Sequence, residues 1–298
     1  MSAARTPAPV GMLFDVDGPL ASPETRTVAI PSIIDDIVTL VGRGVPISFI
    51  TGRSDEFIRD QVVAPLLDAD LGAALERGGA GMFGVFEKGA VWAPITGDGM
   101  DDPVVDHSVA LPDDIVDEAR ELVASRFADT MFFDETKRAM ISVEQRTDVS
   151  SEAYRAAQPD FDAAAFDLLV RHGLGVRQGD DEHPDADGNV PFRVDPTIIS
   201  TDVESVSLDK DRGAQRALEY FSAHGELPRV WRTVGDSRSD YKMADHLHSA
   251  GFDVAHVDVR PSDGILDRDY RIITMRDLIH DEAGAAFLAR WVERTAGL

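Results

Sequence analysis

Short apolar runs that stop abruptly on a polar residue, each separated from the next by a helix-like stretch, constrain this chain more than any other feature. Met12-Leu13-Phe14 runs into Asp15; Pro46-Ile47-Ser48-Phe49-Ile50 runs into Thr51-Gly52-Arg53; Val230 to Val234 runs into Gly235-Asp236. Between the first two, Ile33 to Val41 has helical spacing with Gly42 and Gly44 as stop signals, and Ser54 caps a predicted helix reaching about Ala64, just before Pro65. Strand, helix, strand, helix is the signature of a parallel sheet covered by helices. The last third repeats it, with predicted helices over Asp209 to Phe221 and Ser237 to Ala250, a strand over Phe252 to Val259 and a closing helix over Ala285 to Arg294.

The middle of the chain reads differently. Glu87-Lys88-Gly89 between apolar residues predicts a hairpin over Phe83 to Trp92. A second hairpin is expected over Phe132 to Arg146, turning near Asp134 to Arg138. Leu111 to Phe127 and Ser151 to His172 read as helices, Asp180 to Asn189 as a polar loop, and Phe192 to Val206 as a β-branched strand. The expected architecture is an α/β core from residues 1–94 and 205–298, a Rossmann-like parallel sheet, interrupted by an α+β insert at 95–204.

Composition removes several classes of function. The formal charge is −25, from 54 acidic and 29 basic side chains, and 25 of the bases are Arg against only 4 Lys. Nucleic acid and anionic membrane surfaces are held by clustered bases, so neither is an expected partner. The chain has no Cys, which excludes disulfides, thiolate metal sites and Cys nucleophiles. The N-terminal stretch has no apolar run of the kind a secretory leader needs, and nothing approaches a membrane span, so the expected location is the cytoplasm.

With 39 Asp in 298 residues, the string D-x-D-G arises by accident about 0.4 times. It occurs twice, and context separates the copies. Asp15-Val16-Asp17-Gly18 follows a buried-strand run, at the strand end where open α/β sheets place ligands. Asp185-Ala186-Asp187-Gly188 lies in a solvated loop, and it fails as a calcium loop because Val194 falls where a bidentate Glu is needed. Gly235-Asp236-Ser237-Arg238-Ser239-Asp240 follows the next strand run, so Asp236 and Asp240 are candidate partners of Asp15 in an oxygen-rich magnesium site. Its decoy, Gly97-Asp98-Gly99-Met100-Asp101-Asp102, has the same G-D-x-x-x-D spacing but is followed by Pro103 and no clear helix. Gly79-Ala80-Gly81-Met82-Phe83-Gly84 matches a dinucleotide string but has a helix before it and a hairpin after it, the reverse of what that fingerprint requires. Lys210 stands out because the chain writes its positive charge almost entirely as Arg, and a compact ammonium suits a point contact to phosphate or carboxylate.

Taken in order, FDVDG, FITGR, SLDKDRGAQRAL and TVGDSRSD resemble the motifs of the haloacid dehalogenase superfamily of phosphotransferases. The long insert resembles the α+β cap of its sugar-phosphate phosphatase branch, which includes sucrose-phosphate, mannosyl-phosphoglycerate and trehalose-phosphate phosphatases. The resemblance implies a magnesium-dependent phosphomonoester hydrolase acting on a small phosphorylated metabolite. In it Asp15 is the nucleophile that forms an aspartyl-phosphate, and Asp17 is the acid and then the base. It implies that Mg2+ is held by Asp15, the Asp17 backbone carbonyl, Asp236 and Asp240. Thr51 and Lys210 would stabilise the transferring phosphoryl group, with Gly18, Gly52 and Arg53 near the phosphate. Two residues depart from the pattern. Pro19 replaces a usual Thr and Ser239 a usual Asn, which leaves a catalytically silent binding protein as one alternative reading; a phosphomutase is the other, since related folds return the phosphoryl group to the sugar.

Overall fold

The computed structural model describes residues 8–297, so the first seven residues of the stretch read above for a leader lie outside it. Two compact units emerge, one from the chain up to Val104 together with the chain from Asp209 onward, the other Val105–Leu208. The chain changes unit ten residues beyond the junction expected at 94/95 and four beyond that expected at 204/205. At the first junction the reason is that the hairpin Val91–Thr96 and Gly99–Met100 pairs into the sheet of the first unit.

That sheet has the strand order Arg271–Ile273, Asp253–Asp258, Val230–Gly235, Gly11–Phe14, Ile47–Ile50, Met82–Phe86, Val91–Thr96, Gly99–Met100. The first six strands run parallel, and the last two fold back antiparallel. From Gly11–Phe14 the chain first builds outward through Ile47–Ile50 and later returns to build the other side through Val230–Gly235. The gap between Gly11–Phe14 and Val230–Gly235 is therefore the point where the winding reverses, and it is there that crossover loops leave a crevice at the carboxyl ends of the strands.

Both faces of the sheet are covered, which is why its central strands read as continuous apolar runs. Ala214, Ala217 and Phe221 of the helix Lys210–His224 and Met243, Ala244 and Leu247 of the helix Tyr241–Ser249 pack on Leu13, Ile50, Val85 and Trp231. On the other face, Phe287 of the helix His280–Arg294 meets Phe14 edge-on, 6.2 Å between ring centres. Each large side chain buried this way contributes about 1.5–3 kcal/mol.

The helix expected to stop before Pro65 instead continues. Asp55–Ile58 is α-helical, Arg59–Val63 forms a π turn, and Ala64–Asp68 is α-helical again, so Pro65 comes directly after the irregular turn rather than inside a regular α-helical ladder. The helix expected from Ser237 begins at Tyr241, because the Asp240 carboxylate draws the preceding backbone into a tight turn instead.

The second unit has a six-stranded sheet with the order Asp181–His183, Val176–Gln178, Phe192–Pro196, Ser200–Ser205, Ile141–Gln145, Met131–Phe133. All pairs are antiparallel except Val176–Gln178 with Phe192–Pro196. Helices Asp113–Leu122 and Ser151–Arg171 cover one face through Ile115, Tyr154, Phe161 and Leu168. Two expectations change here. Phe192 to Val206 is two strands, turned at Pro196, which cannot donate to a continuing ladder. The loop Asp180 to Asn189 contains the exposed edge strand Asp181–His183. Among the described residues no helix is long and apolar enough to cross a membrane.

Candidate active site

Asp15 follows the last residue of the central strand, and Asp236 follows the last residue of its parallel neighbour, so the winding reversal alone puts them side by side. Asp240 joins them through the turn after Asp236, where its Oδ2 accepts from the backbone N–H groups of Asp236 and Ser237 at 3.0 and 2.9 Å and from the Ser237 hydroxyl at 2.8 Å. Carboxylate oxygens of Asp15, Asp236 and Asp240 lie within 4.8 Å of one another. Two glycines permit this approach. A Cβ on Gly235 would stand 2.2 Å from the Asp240 Cβ, and one on Gly18, whose φ is +94°, would stand 2.8 Å from Asp236.

Lys210 reaches the cluster from the first turn of its helix. Its Nζ lies 2.6 Å from Asp15 Oδ1 and 2.8 Å from Asp240 Oδ1, and it donates to the Ile50 carbonyl at 2.8 Å. Asp15, Asp240 and Lys210 are all buried. Burial and the charge of Asp240 push the Asp15 carboxyl well above the usual carboxylate range, against the pull of Lys210. Burial and Asp240 likewise push Asp236 up to about 6, while Arg260 and Lys210 oppose. For Asp240 burial also raises, but the attraction and hydrogen bond of Lys210 prevail and hold it below the ordinary value. Burial would lower the lysine, yet Asp15 and Asp240 together hold it above the usual lysine range. One ammonium is thus set against three carboxylates, a deficit of positive charge in a site of low polarity.

This donor set fits a hard divalent cation, which takes carboxylate oxygens and would offset that deficit. The Asp17 carboxylate is not part of it. Arg53 donates to both of its oxygens, Nε to Oδ2 at 2.9 Å and Nη2 to Oδ1 at 3.0 Å.

Thr51 is fully buried at the end of Ile47–Ile50, and its Oγ1 accepts from the Arg53 N–H at 3.1 Å, which shapes the Thr51-Gly52-Arg53 turn. The hydroxyl proton stays available for an acceptor in the crevice. The Glu87-Lys88-Gly89 turn supports this loop from the next strand end, with Lys88 N–H donating to the Thr51 carbonyl at 3.0 Å and Glu87 N–H to the Arg53 carbonyl at 3.1 Å. The carbon stem of Lys88 lies beside Gly52. Pro19 fits its position: Val16 O accepts from Leu20 and Ala21, and the helix His280–Arg294 presses Gly284 directly onto the Pro19 backbone. Ser239 Oγ lies 2.9 Å from Ser237 Oγ and so sustains the turn that carries Asp240.

Residues that the sequence did not single out also reach this edge. Arg260 Nη1 lies 3.7 Å and His280 Nδ1 4.0 Å from Asp236 Oδ2. Arg260 follows the strand after Asp236's, so a search of the next parallel strand end for charge would have found it. His280 opens the helix His280–Arg294, far along the chain, and left no such signal. Two arginines of the insert are engaged within it: Arg146 pairs with Asp148, and Arg193 donates to Glu204 and to the Leu208 carbonyl. The decoys stay outside the site. Asp185 closes its own exposed loop by accepting from Asp187 and Asn189, Asp98 sits in the turn of a hairpin, and Gly79 to Gly84 leads from a helix into a strand.

No family model and no curated protein matches the chain, but solved structures do match in fold. The C-terminal domain of a Candida albicans trehalose-6-phosphate phosphatase aligns with a TM-score of 0.60 at 14% identity, over 96% of this chain and 93% of that one. A haloacid dehalogenase-like hydrolase from Bacteroides thetaiotaomicron gives 0.57 at 13% identity, over 94% and 98%. An IMP-nucleotidase from Plasmodium falciparum gives 0.54 at 10% identity, over 97% of this chain and 62% of that one. The chain therefore has a haloacid dehalogenase-like fold.

Proposed function

We propose that this protein is a divalent-metal-dependent phosphomonoester hydrolase that works through an aspartyl-phosphate, with magnesium as the metal and a sugar phosphate or similar small phosphometabolite as substrate. The observation that carries the reading is the Lys210 ammonium shared between Asp15 and Asp240 with Asp236 alongside, at the strand ends where the winding reverses. A bare phosphate dianion is repelled from such a cluster unless a bound cation neutralises part of it, and that is the chemistry a metal held by Asp15, Asp236, Asp240 and the Asp17 carbonyl supplies.

Asp15 Oδ1 is fixed by the Val16 N–H at 2.7 Å and by Lys210, which leaves Oδ2 to attack phosphorus. The new bond is Oδ2–P, the bond that breaks is P–O of the ester, and the departing alkoxide takes its proton from Asp17. In the second half Asp17 accepts a proton from water as that water attacks phosphorus. Inorganic phosphate leaves and the Asp15 carboxylate returns. Lys210 and the Thr51 hydroxyl hold the charge on the phosphoryl oxygens. Arg53 positions Asp17 between these roles. Among the similar folds, the trehalose-6-phosphate phosphatase favours a sugar phosphate, while the IMP-nucleotidase keeps nucleotides on the panel.

The test is a rate screen over sugar phosphates, phosphoglycerate esters and nucleotides, with and without Mg2+. Free phosphate release that needs the metal and disappears in Asp15→Asn is the expected result. No turnover of any phosphoester overturns the reading, and an isomeric sugar phosphate as product replaces hydrolase with mutase.

A further inference from the structure

The face of the sheet covered by the helix His280–Arg294 holds a cavity of about 70 Å³ lined by Arg232, Arg271, Arg290 and Arg294, with Trp291 as a wall and Ala255 as floor. Strand register builds it. Arg232, Ala255 and Arg271 stand in one row across three parallel strands, so the small Ala255 leaves a dent between two arginines. From above, Arg290 and Arg294 lie one helical turn apart with Trp291 between them. Arg294 lies over the Trp291 ring at 5.3 Å and Arg232 at 5.7 Å.

No carboxylate lines this cavity. Arg232 donates to the Trp231 carbonyl at 2.6 Å and to the Asp253 carbonyl at 3.4 Å, and faces Asp253 Oδ1 at 3.7 Å. Arg271, Arg290 and Arg294 have no ion pair or hydrogen bond among the described residues. The four guanidinium groups repel one another, Arg232 from a half-buried position and Arg271, Arg290 and Arg294 from exposed ones. Burial lowers the affinity of Arg232 for its proton and the charges of Arg294 and Arg271 lower it further, while Asp253 opposes. Convergence of this kind is stable when an anion occupies the centre, and arginine forks match the oxygens of phosphate.

We infer that this arginine-lined cavity is a second ligand site that binds a small phosphate-bearing anion, either inorganic phosphate or the phosphoryl end of a phosphometabolite. The volume accommodates several water-sized groups, enough for one oxyanion. It lies apart from the carboxylate cluster, since Arg232 precedes Asp236 by four positions on the same strand, about 13 Å along it. The inference does not depend on the proposed hydrolysis.

The full chain is titrated with inorganic phosphate and, separately, with glucose 6-phosphate, against chloride at equal ionic strength, while tryptophan emission and Tm are followed. Saturable quenching and a rise in Tm are expected in the wild type and in Asp15→Asn. Both are expected to weaken at least 10-fold in the triple variant Arg271→Gln, Arg290→Gln, Arg294→Gln, whose Tm without ligand is at or above the wild-type value because the repulsion is gone. Arg290→Gln alone, at an exposed position, gives a smaller loss in the same direction. Saturation by inorganic phosphate identifies the free ion as ligand, and saturation by the sugar phosphate alone identifies the metabolite. A response that chloride reproduces, that survives the triple substitution, or that vanishes in Asp15→Asn overturns the site.

Discussion

Arg53 grips Asp17 by both carboxylate oxygens, at 2.9 and 3.0 Å, across 36 residues of sequence. The pairing exists because Gly11–Phe14 and Ile47–Ile50 are adjacent parallel strands, so the loops after them leave the same edge together. It joins the residue proposed to move protons to one that sequence reading placed only near the phosphate.

Arg53→Ala therefore acts on catalysis more than on folding. The pair is partly exposed, with side chains 18% and 41% accessible, and such pairs contribute about 1 kcal/mol or less to stability. Loss of the clamp is expected to reduce kcat/KM for an alkyl phosphate about 10-fold, and less for p-nitrophenyl phosphate, whose phenolate needs little protonation. Asp17→Asn should show the same ranking with a loss of roughly 10²–10⁴ on the alkyl substrate. Equal losses on both substrates would remove Asp17 from the acid role.

Lys210→Met leaves two buried carboxylates without their shared cation. Removing one partner of a buried ion pair costs about 3–5 kcal/mol. Urea denaturation in EDTA should show that loss, and added Mg2+ should return part of it by taking over the neutralisation. An unchanged midpoint would contradict the buried contacts at 2.6 and 2.8 Å.

Asp236 gives the metal-free protein a pH signature. Its folded value of about 6 lies above the ordinary carboxyl value, so the folded state binds the proton more tightly than the unfolded chain does. Its contribution is then fully present below about pH 4 and is lost as pH rises through about 6, a loss of up to about 3 kcal/mol. In EDTA, the stability of wild type relative to Asp236→Asn should fall across this window, and Mg2+ should reverse the fall. A flat difference between pH 4 and 7 would refute the assignment.

Gly235→Ala tests the close approach that brings the acids together. Its new Cβ would stand 2.2 Å from the Asp240 Cβ, so Asp240 or the strand end has to shift. Such overpacking costs about 1–3 kcal/mol, and Mg2+ affinity measured by calorimetry should fall more than Tm does. Retained metal affinity would show that Asp240 is not needed for binding the ion.

The sequence determined which polar residues stand at the ends of strands. Asp15, Thr51 and Asp236 each follow a short apolar run that forms a buried parallel strand, and each therefore stands at the same edge of the sheet. Lys210 was legible because the chain so rarely uses lysine. The sequence also separated the two D-x-D-G copies, since only one follows such a run. Tertiary structure decided the rest. Whether the helix after Asp236 starts at Ser237 or Tyr241 depends on where the Asp240 carboxylate finds its donors, and no local propensity encodes that. The bond between Arg53 and Asp17, the approach of His280 to Asp236 and the ring of arginines around Ala255 all require knowing which strands are neighbours. Strand ends can be read locally because burial and hydrogen bonding act over a few residues. Their juxtaposition cannot, because it comes from sheet order and the packing of helices far away in the chain.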